Sequence, residues 1–158
     1  MDEAAAQGDE AGARRTTGLP LPRFVSLKSD NVNVRRGPGQ QYDLAFTFVR
    51  AGLPVEITQE FDNWRKIRDS EGSEGWVFGS LLSGERTVLV TPWEGGGQHA
   101  AYQSADGAAP VVAYLQPRVV GNVEQCTGTW CLVSGTSFEG WIEQDRLWGV
   151  YPEERFEN

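Results

Sequence analysis

The sequence predicts an all-β fold built from two small barrels in tandem. Glycine is abundant at 19 of 158 residues and tryptophan reaches six, while Val and Thr recur in short runs bounded by turn residues. No stretch sustains the i, i+3, i+4, i+7 apolar pattern of an amphipathic helix. Long helices are therefore not expected, and the length allows either one domain or two small ones.

Short strand-like runs follow one another along the first half of the chain. In order, they cover residues 24–27, 32–34, 44–49, 54–58, 64–68, 75–78 and 87–90. This spacing is typical of a small β-barrel. Residues 1–22 instead combine Ala, Gly, Pro and acidic residues without periodicity, so they are predicted to form a disordered, flexible N-terminal tail. A short second tail is expected at residues 153–158.

An internal repeat indicates that one unit occurs twice. Trp64 follows Ile57 by seven residues and precedes Leu81 by seventeen. The same two spacings recur in the second half, at Val123, Trp130 and Leu147. A Gly-Trp pair lies between the anchors of each copy, and Gly95–Gly97 offers a bend between the copies. Two copies of one unit are the simplest explanation of this pattern.

The residues at the anchors of the first copy follow a known pattern. The copy opens with Asn33-Val34-Arg35 and Gly37-Pro38, and its centre and close are Trp64, Ile67, Gly75, Trp76, Val77 and Leu81. It resembles the bacterial SH3 domain, with Asn63 where the family usually has Gly. The second copy matches in its centre and close but lacks the opening motif. The resemblance implies two tandem SH3-like β-barrels, at residues 23–92 and 98–152, in an exported two-domain bacterial protein.

The two cysteines, Cys126 and Cys131, are predicted to face each other across a short hairpin. Facing Cα atoms in such a hairpin lie within disulfide range. The alternative is a pair of reduced cysteines in the core. With one remote histidine, His99 in the Gly-rich linker, the pair would make a poor zinc site, and we expect neither a metal nor a cofactor. Because the resemblance implies export, we favour the disulfide over a pair of reduced cysteines.

Charge and hydropathy argue against two classes of partner. Residues 23–91 carry nine basic and nine acidic side chains, and residues 92–151 carry two and six. Nucleic-acid binding needs a basic stripe, so no nucleic-acid partner is expected. No apolar run approaches the roughly 20 residues that span a bilayer, so no membrane insertion is expected.

The start of the chain bears on its compartment. Residues 1–10 lack the basic and apolar regions of a secretory signal. This is compatible with a cytoplasmic protein, or with an exported one whose signal peptide has been removed. The resemblance favours the second, and we expect a periplasmic or secreted protein.

Five residues of the first copy form a candidate ligand-binding groove: Arg35, Arg36, Tyr42, Trp64 and Phe78. Flat, amphipathic rings suit both peptides and glycans. A weaker set in the second copy comprises Tyr114, Trp130 and Trp141. Arg35 is as compatible with packing or an ion pair as with ligand binding.

The arginines precede a tight turn that is not a phosphate-binding loop. Residues 36–39 lack the Gly-Lys-Ser/Thr of that loop. Turn geometry explains them better, with Pro38 setting its own φ and Gly37 or Gly39 free to adopt a positive one.

The resemblance implies a non-enzymatic binding or scaffolding module that recognises cell-wall peptide, glycan or a protein partner. One alternative is a purely structural assembly module whose aromatic side chains are buried between the units. Another is a cell-wall hydrolase or an accessory of one, because bacterial SH3 domains often accompany such enzymes. A Cys-His nucleophile would need Cys126 or Cys131 free and near His99, and no separate catalytic domain remains outside residues 23–151.

Overall fold

Two antiparallel sheets make up the protein, as the sequence predicts. The structure, a computed structural model, describes residues 16–158 and contains no α-helix in that range. The chain divides into two compact units. Unit one is the chain up to Ala51 with Val55–Ser83, and unit two is Gly52–Pro54 with Gly84–Asn158. Within residues 16–158, no helix is long and apolar enough to cross a membrane.

The first sheet contains seven strands. They are β1 (Arg23–Leu27), β2 (Val32–Arg35), β3 (Leu44–Phe48), β4 (Pro54–Phe61), β5 (Trp64–Arg68), β6 (Glu74–Phe78) and β7 (Leu82–Ser83). A 3-10 turn at Gly79–Leu81 joins the last two. Their order across the sheet is β3-β2-β6-β5-β4-β1-β7.

The second sheet repeats this arrangement. Its strands are β8 (Thr87–Val90), β9 (His99–Tyr102), β10 (Val111–Leu115), β11 (Val120–Thr127), β12 (Trp130–Ser134), β13 (Glu139–Glu143), β14 (Leu147–Trp148) and β15 (Arg155–Glu157). The order is β10-β9-β13-β12-β11-β8-β14, with β15 pairing β11. Every strand on the path is the counterpart of the strand seven numbers earlier. The internal repeat is therefore confirmed at the level of topology.

Two elements lie elsewhere than the sequence placed them. The spacing of the runs predicts that residues 87–90 belong to the first barrel, but this strand pairs with β11 and β14 as the first strand of the second sheet. Spacing alone cannot tell which neighbouring copy a strand joins. The predicted tail at 153–158 contains β15, in which Phe156 pairs with Cys126 and packs against the core of unit two. The gain from burying that ring explains why this short end is ordered.

Residues 1–15 of the predicted N-terminal tail lie outside the described residues. The described part of that tail is attached to unit one, because Thr17 donates to both carboxylate oxygens of Glu60, at 2.9 Å from its amide nitrogen and 2.7 Å from its hydroxyl. Pro20 and Pro22 in this stretch have no amide proton for a sheet ladder, and the attachment is made to the side chain of Glu60 instead.

The core of each unit follows from period-two alternation along the strands. In unit one, the inward positions with the lowest exposure include Val34, Ile57, Ile67 and Val77. Their counterparts in unit two include Ala101, Val123, Val133 and Ile142. The alternate positions of the same strands point to the opposite face, which is where the candidate site lies.

The glycine of each Gly-Trp pair sits where two strands cross closely. A Cβ atom on Gly140 would lie 2.7 Å from Val112 Cγ2, 2.9 Å from Ala101 Cβ and 3.2 Å from the Tyr102 carbonyl oxygen. On Gly75, it would overlap Val34 Cγ1 and lie 3.1 Å from the Arg35 carbonyl oxygen. Only glycine fits at either position without movement of its neighbours.

We expect Gly140→Ala to destabilise the protein by about 1–3 kcal/mol, because the added methyl group overpacks the crossing. Urea denaturation followed by circular dichroism measures the effect. The matched control is Gly107→Ala, where a Cβ would meet nothing within 4 Å. Equal stability of the two variants would contradict the close-crossing explanation.

Candidate functional site

Three aromatic side chains form a row across the outer face of the first sheet. Phe61 is opposite Trp64, and Trp64 is opposite Phe78. Directly opposed residues of antiparallel strands point to the same face. The Trp64 and Phe78 rings meet edge to face, with centroids 5.4 Å apart and an interplanar angle of 76°. Phe61 and Phe78 remain 47% and 37% exposed, so this aromatic row (Phe61, Trp64, Phe78) is open to solvent.

A second row lies two residues away along the strands. Lys66 is opposite Trp76, and Trp76 is opposite Arg35. Side chains two residues apart on a strand share a face, so this basic row (Arg35, Trp76, Lys66) lies beside the aromatic row. The Lys66 ammonium is 3.5 Å from a Glu74 carboxylate oxygen, and both side chains are partly exposed. The Arg35 guanidinium donates to the Tyr42 carbonyl oxygen at 3.0 Å.

The structure brings together four of the five residues that the sequence selected for the groove. Arg35, Trp64 and Phe78 belong to the two rows, and Tyr42 is joined to Arg35 through its carbonyl. Arg36 lies past the end of β2, where it is exposed, and its backbone amide donates to the Asp43 carbonyl. Arg36 is therefore outside the rows. Whether these residues bind a ligand is taken up as a proposal below.

The glycines of this loop do not adopt the positive φ that the sequence allows for them. Neither Gly37 nor Gly39 is among the described residues with positive φ. A Cβ on Gly37 would overlap the ring of Tyr42, whereas one on Gly39 would meet only the far end of the exposed Gln41 side chain, which can move. Close packing against Tyr42, not φ, therefore disfavours a larger residue at position 37.

Three residues of the rows were missed at the sequence level as ligand contacts. Phe61 was missed because β4 was predicted to end at residue 58, three residues short. Lys66 could have been found, since it alternates with Trp64 on a correctly bounded strand. Trp76 appears in the sequence only as part of the family pattern; in the structure it is half-buried and faces the side opposite to its neighbour Val77.

The second unit carries different chemistry on the equivalent face. Trp130 contacts Tyr102 edge to face, with centroids 5.6 Å apart. Trp141 is opposite both Tyr102 and Leu132, and Glu143 is opposite Trp130. Tyr102 and Leu132 thus occupy the positions of Arg35 and Lys66, and Glu143 occupies that of Phe78. This face has aromatic rings but neither cation of the basic row.

Tyr114, the third aromatic of the weaker set, lies on β10 and is 62% exposed. No described ring contact joins it to Trp130 or Trp141.

The hairpins β4–β5 and β11–β12 are each closed by a cross-strand pair at the same register position, but the chemistry of the pair differs. In unit two, the predicted disulfide joins Cys126 to Cys131, whose Cα atoms are 4.1 Å apart. The counterparts in unit one are Glu60 and Arg65, which are opposite each other in the same register. The Glu60 side chain is only 2% exposed and lies 2.9 Å from the Arg23 guanidinium and 3.7 Å from that of Arg65. An ion cluster therefore stands where the other copy has a covalent bond.

The electrostatics of Glu60 follow from its partners. Burial raises the pKa of this carboxyl, but hydrogen bonds from Thr17 and the charge and hydrogen bond of Arg23 outweigh it. The net result is a pKa below the ordinary value of 4.5. Glu60 immediately precedes Phe61, so this cluster anchors the end of the aromatic row.

His99 does not lie in the linker, where the sequence placed it; it is the first residue of β9 and is buried. Its Nε2 is 2.8 Å from a Glu94 carboxylate oxygen, and its Nδ1 contacts the Arg146 guanidinium. Both ring nitrogens are thus engaged. Cys126 and Cys131 are joined in the disulfide, so neither supplies the thiol that a Cys-His nucleophile needs. Among residues 16–158, no group of three or more His, Cys, Asp or Glu side chains is arranged to hold a metal ion.

Comparisons with known proteins identify one family. A family model described as bacterial SH3 domain matches residues 28–84 and 96–149, which is more than half of the chain. A solved structure of NlpC2 from Trichomonas vaginalis is 12% identical, with a TM-score of 0.35, and the match covers 83% of this chain and 49% of that one. For NlpC1 from the same organism the values are 11%, 0.33, 84% and 47%.

The chain therefore spans about half the length of those two structures. At such TM-scores they carry no weight for function. No curated protein matches the chain.

Replacing both Cys126 and Cys131 by Ala is expected to lower the free energy of unfolding by about 2 kcal/mol, because the disulfide closes a short loop in the unfolded chain. Urea denaturation with and without a thiol reductant measures it. The reductant should lower the stability of the wild type and leave the double variant unchanged. Two free thiols in the denatured, unreduced protein would contradict the disulfide.

Because the pKa of Glu60 is lowered in the folded state, its contribution to stability is present above the ordinary carboxyl pKa and is lost as the pH falls through the lower, folded value. Glu60→Gln should therefore be less stable than the wild type at pH 7, and the difference should shrink below about pH 4. Thermal unfolding across pH 3–7 tests this. Glu71→Gln, at an exposed position, is the control. A difference that does not depend on pH would contradict the assigned role of the carboxylate.

Proposed function

Since the chain belongs to the bacterial SH3 domain family, we propose that it is a non-enzymatic binding module that recognises cell-wall peptide or glycan through the outer face of unit one. Domains of this family are commonly non-catalytic and bind cell-wall material or protein partners. The observation that carries the proposal is the aromatic row. Its two exposed phenyl rings and the half-buried Trp64 indole form an apolar surface that can contact sugar rings or an extended peptide.

The solvent exposure of the aromatic row supports ligand binding over a purely structural role. Large aromatic side chains that serve only packing are usually covered. Phe61 and Phe78 are instead exposed beside the half-buried Trp64, and the edge-to-face contact holds the Trp64 and Phe78 rings in place. A surface held rigid before binding loses less conformational entropy when a ligand arrives.

The same reasoning supports a compartment outside the cytoplasm. The Cys126–Cys131 disulfide is compatible with an oxidising environment, and the family is often extracellular. We propose that the protein is periplasmic or secreted, where cell-wall material is within reach.

Phe78→Ala should weaken binding of the full chain to isolated peptidoglycan by about tenfold, because interface aromatics are the residues whose truncation costs most. Co-pelleting at a series of peptidoglycan concentrations measures the apparent Kd. Trp64→Ala should act in the same direction.

The matched control is Trp93→Ala, which removes an exposed ring that belongs to neither candidate set and should leave the Kd within twofold. Circular dichroism must show that the variants remain folded. If Trp64→Ala unfolds the unit and Phe78→Ala leaves the Kd unchanged, the row is structural. If the wild type does not pellet with peptidoglycan at any salt concentration, cell-wall recognition is wrong.

A further inference from the structure

We propose that the ligand of unit one is an extended peptide with a free carboxylate, and that Lys66 and Arg35 bind this carboxylate across Trp76. The inference rests on the proposed function and adds the chemical class of the ligand. It depends on the basic row, in which Lys66 and Trp76 were not recognised as contacts from the sequence.

Both cations of the basic row, Lys66 and Arg35, are only partly buried and keep donors for a ligand. Arg68, the next outward residue of β5, is held by the buried carboxylate of Glu56. Lys66 contacts only the exposed end of Glu74 among its described ion pairs, at 3.5 Å, and such an exposed pair contributes little. The Arg35 guanidinium uses one donor on the Tyr42 carbonyl and has further donors in its fork.

The register determines the spacing of the site. Arg35 and Lys66 lie on β2 and β5, on either side of β6, so their strands are about 10 Å apart, with Trp76 between them. The aromatic row lies two residues further along, a distance of about 7 Å. A ligand that uses both rows must therefore carry an anionic group about 7 Å from a flat or apolar group. In an extended peptide, two residues span this distance.

The balance of charge favours a single carboxylate over a phosphate polymer. Residues 16–83 carry eight basic and eight acidic side chains, so the part of unit one that the structure describes has a formal charge of zero. A surface without net charge gives a polyanion no long-range attraction. A guanidinium and an ammonium on either side of Trp76, in contrast, can both donate charge-assisted hydrogen bonds to one carboxylate held over the ring.

Unit two provides an internal comparison. Tyr102 and Leu132 replace the two cations, and Glu143 stands opposite Trp130. Residues 84–158 carry four basic and ten acidic side chains, a formal charge of −6. The same fold thus repels an anionic ligand at the equivalent face, which makes unit one the anion-binding copy.

The test compares native peptidoglycan with peptidoglycan whose carboxyl groups have been amidated with methylamine and a carbodiimide. Both are first stripped of phosphate-containing polymers with acid. We expect amidation to raise the apparent Kd of the full chain about tenfold, in keeping with the loss of a charge-assisted contact. Lys66→Gln should weaken binding to native peptidoglycan by a similar factor and have little effect on the amidated form. Lys66→Arg should retain most of the affinity.

The control is Lys28→Gln, which removes an exposed positive charge outside the two rows and should leave the Kd within twofold. If the chain binds native and amidated peptidoglycan equally, the carboxylate inference is overturned while the proposed function stands. An equal loss for Lys66→Gln on both forms also overturns it, because the lysine would then act through the fold. Binding only before the acid treatment would identify a phosphate ligand and overturn it too. Binding to neither form at any stage removes the proposed function itself.

Discussion

The close crossing at Gly75 and Gly140 is the constraint on which both units depend. At each crossing, the strand that carries the Gly-Trp pair approaches its neighbour so closely that a methyl group would collide with side-chain and backbone atoms. The approach sets the register, and the register places Trp76 opposite Arg35 and Trp141 opposite Tyr102. The arrangement of side chains on the outer face of each unit therefore depends on a glycine at an inward position, Gly75 or Gly140. A larger residue there would disturb the core and the outer face together.

The two copies show how one scaffold separates fold from recognition. Their strand order is the same, and the least exposed inward positions, such as Ile57 and Val123, hold aliphatic side chains in both. Outward positions are free of that requirement, because substitution there changes the surface without changing the packing. Arg35 and Lys66 in unit one are replaced by the uncharged Tyr102 and Leu132 in unit two. Phe78 is likewise replaced by Glu143 at the equivalent position. The two copies therefore share their core positions and differ at the outward positions that a ligand would contact.

The sequence predicted the positions of the strands better than it predicted which strands pair with each other. The alternation in residues 64–68 defined β5 to the residue, and the spacing around Trp64 and Trp130 revealed the repeat, because both are local patterns. The assignment of β8 to a sheet and the pairing of β15 depend on long-range contacts that no local window contains. The site followed the same rule. Arg35, Trp64 and Phe78 stand out by residue type, and Lys66 follows from its alternation with Trp64 on β5. Phe61 joins them only through cross-strand register and a β-bulge between Ile57 and Gln59.

The replacement of the Glu60–Arg65 pair by Cys126–Cys131 has a consequence for how the chain matures. The ion cluster of the first unit forms as soon as the strands meet, since it needs nothing beyond the side chains themselves. The covalent closure of the second unit needs an electron acceptor and proceeds on the slower timescale of thiol oxidation. The first barrel can complete its native contacts before any oxidant acts, and the second is finished in a separate chemical step. One chain thus contains an early-maturing and a late-maturing version of the same fold.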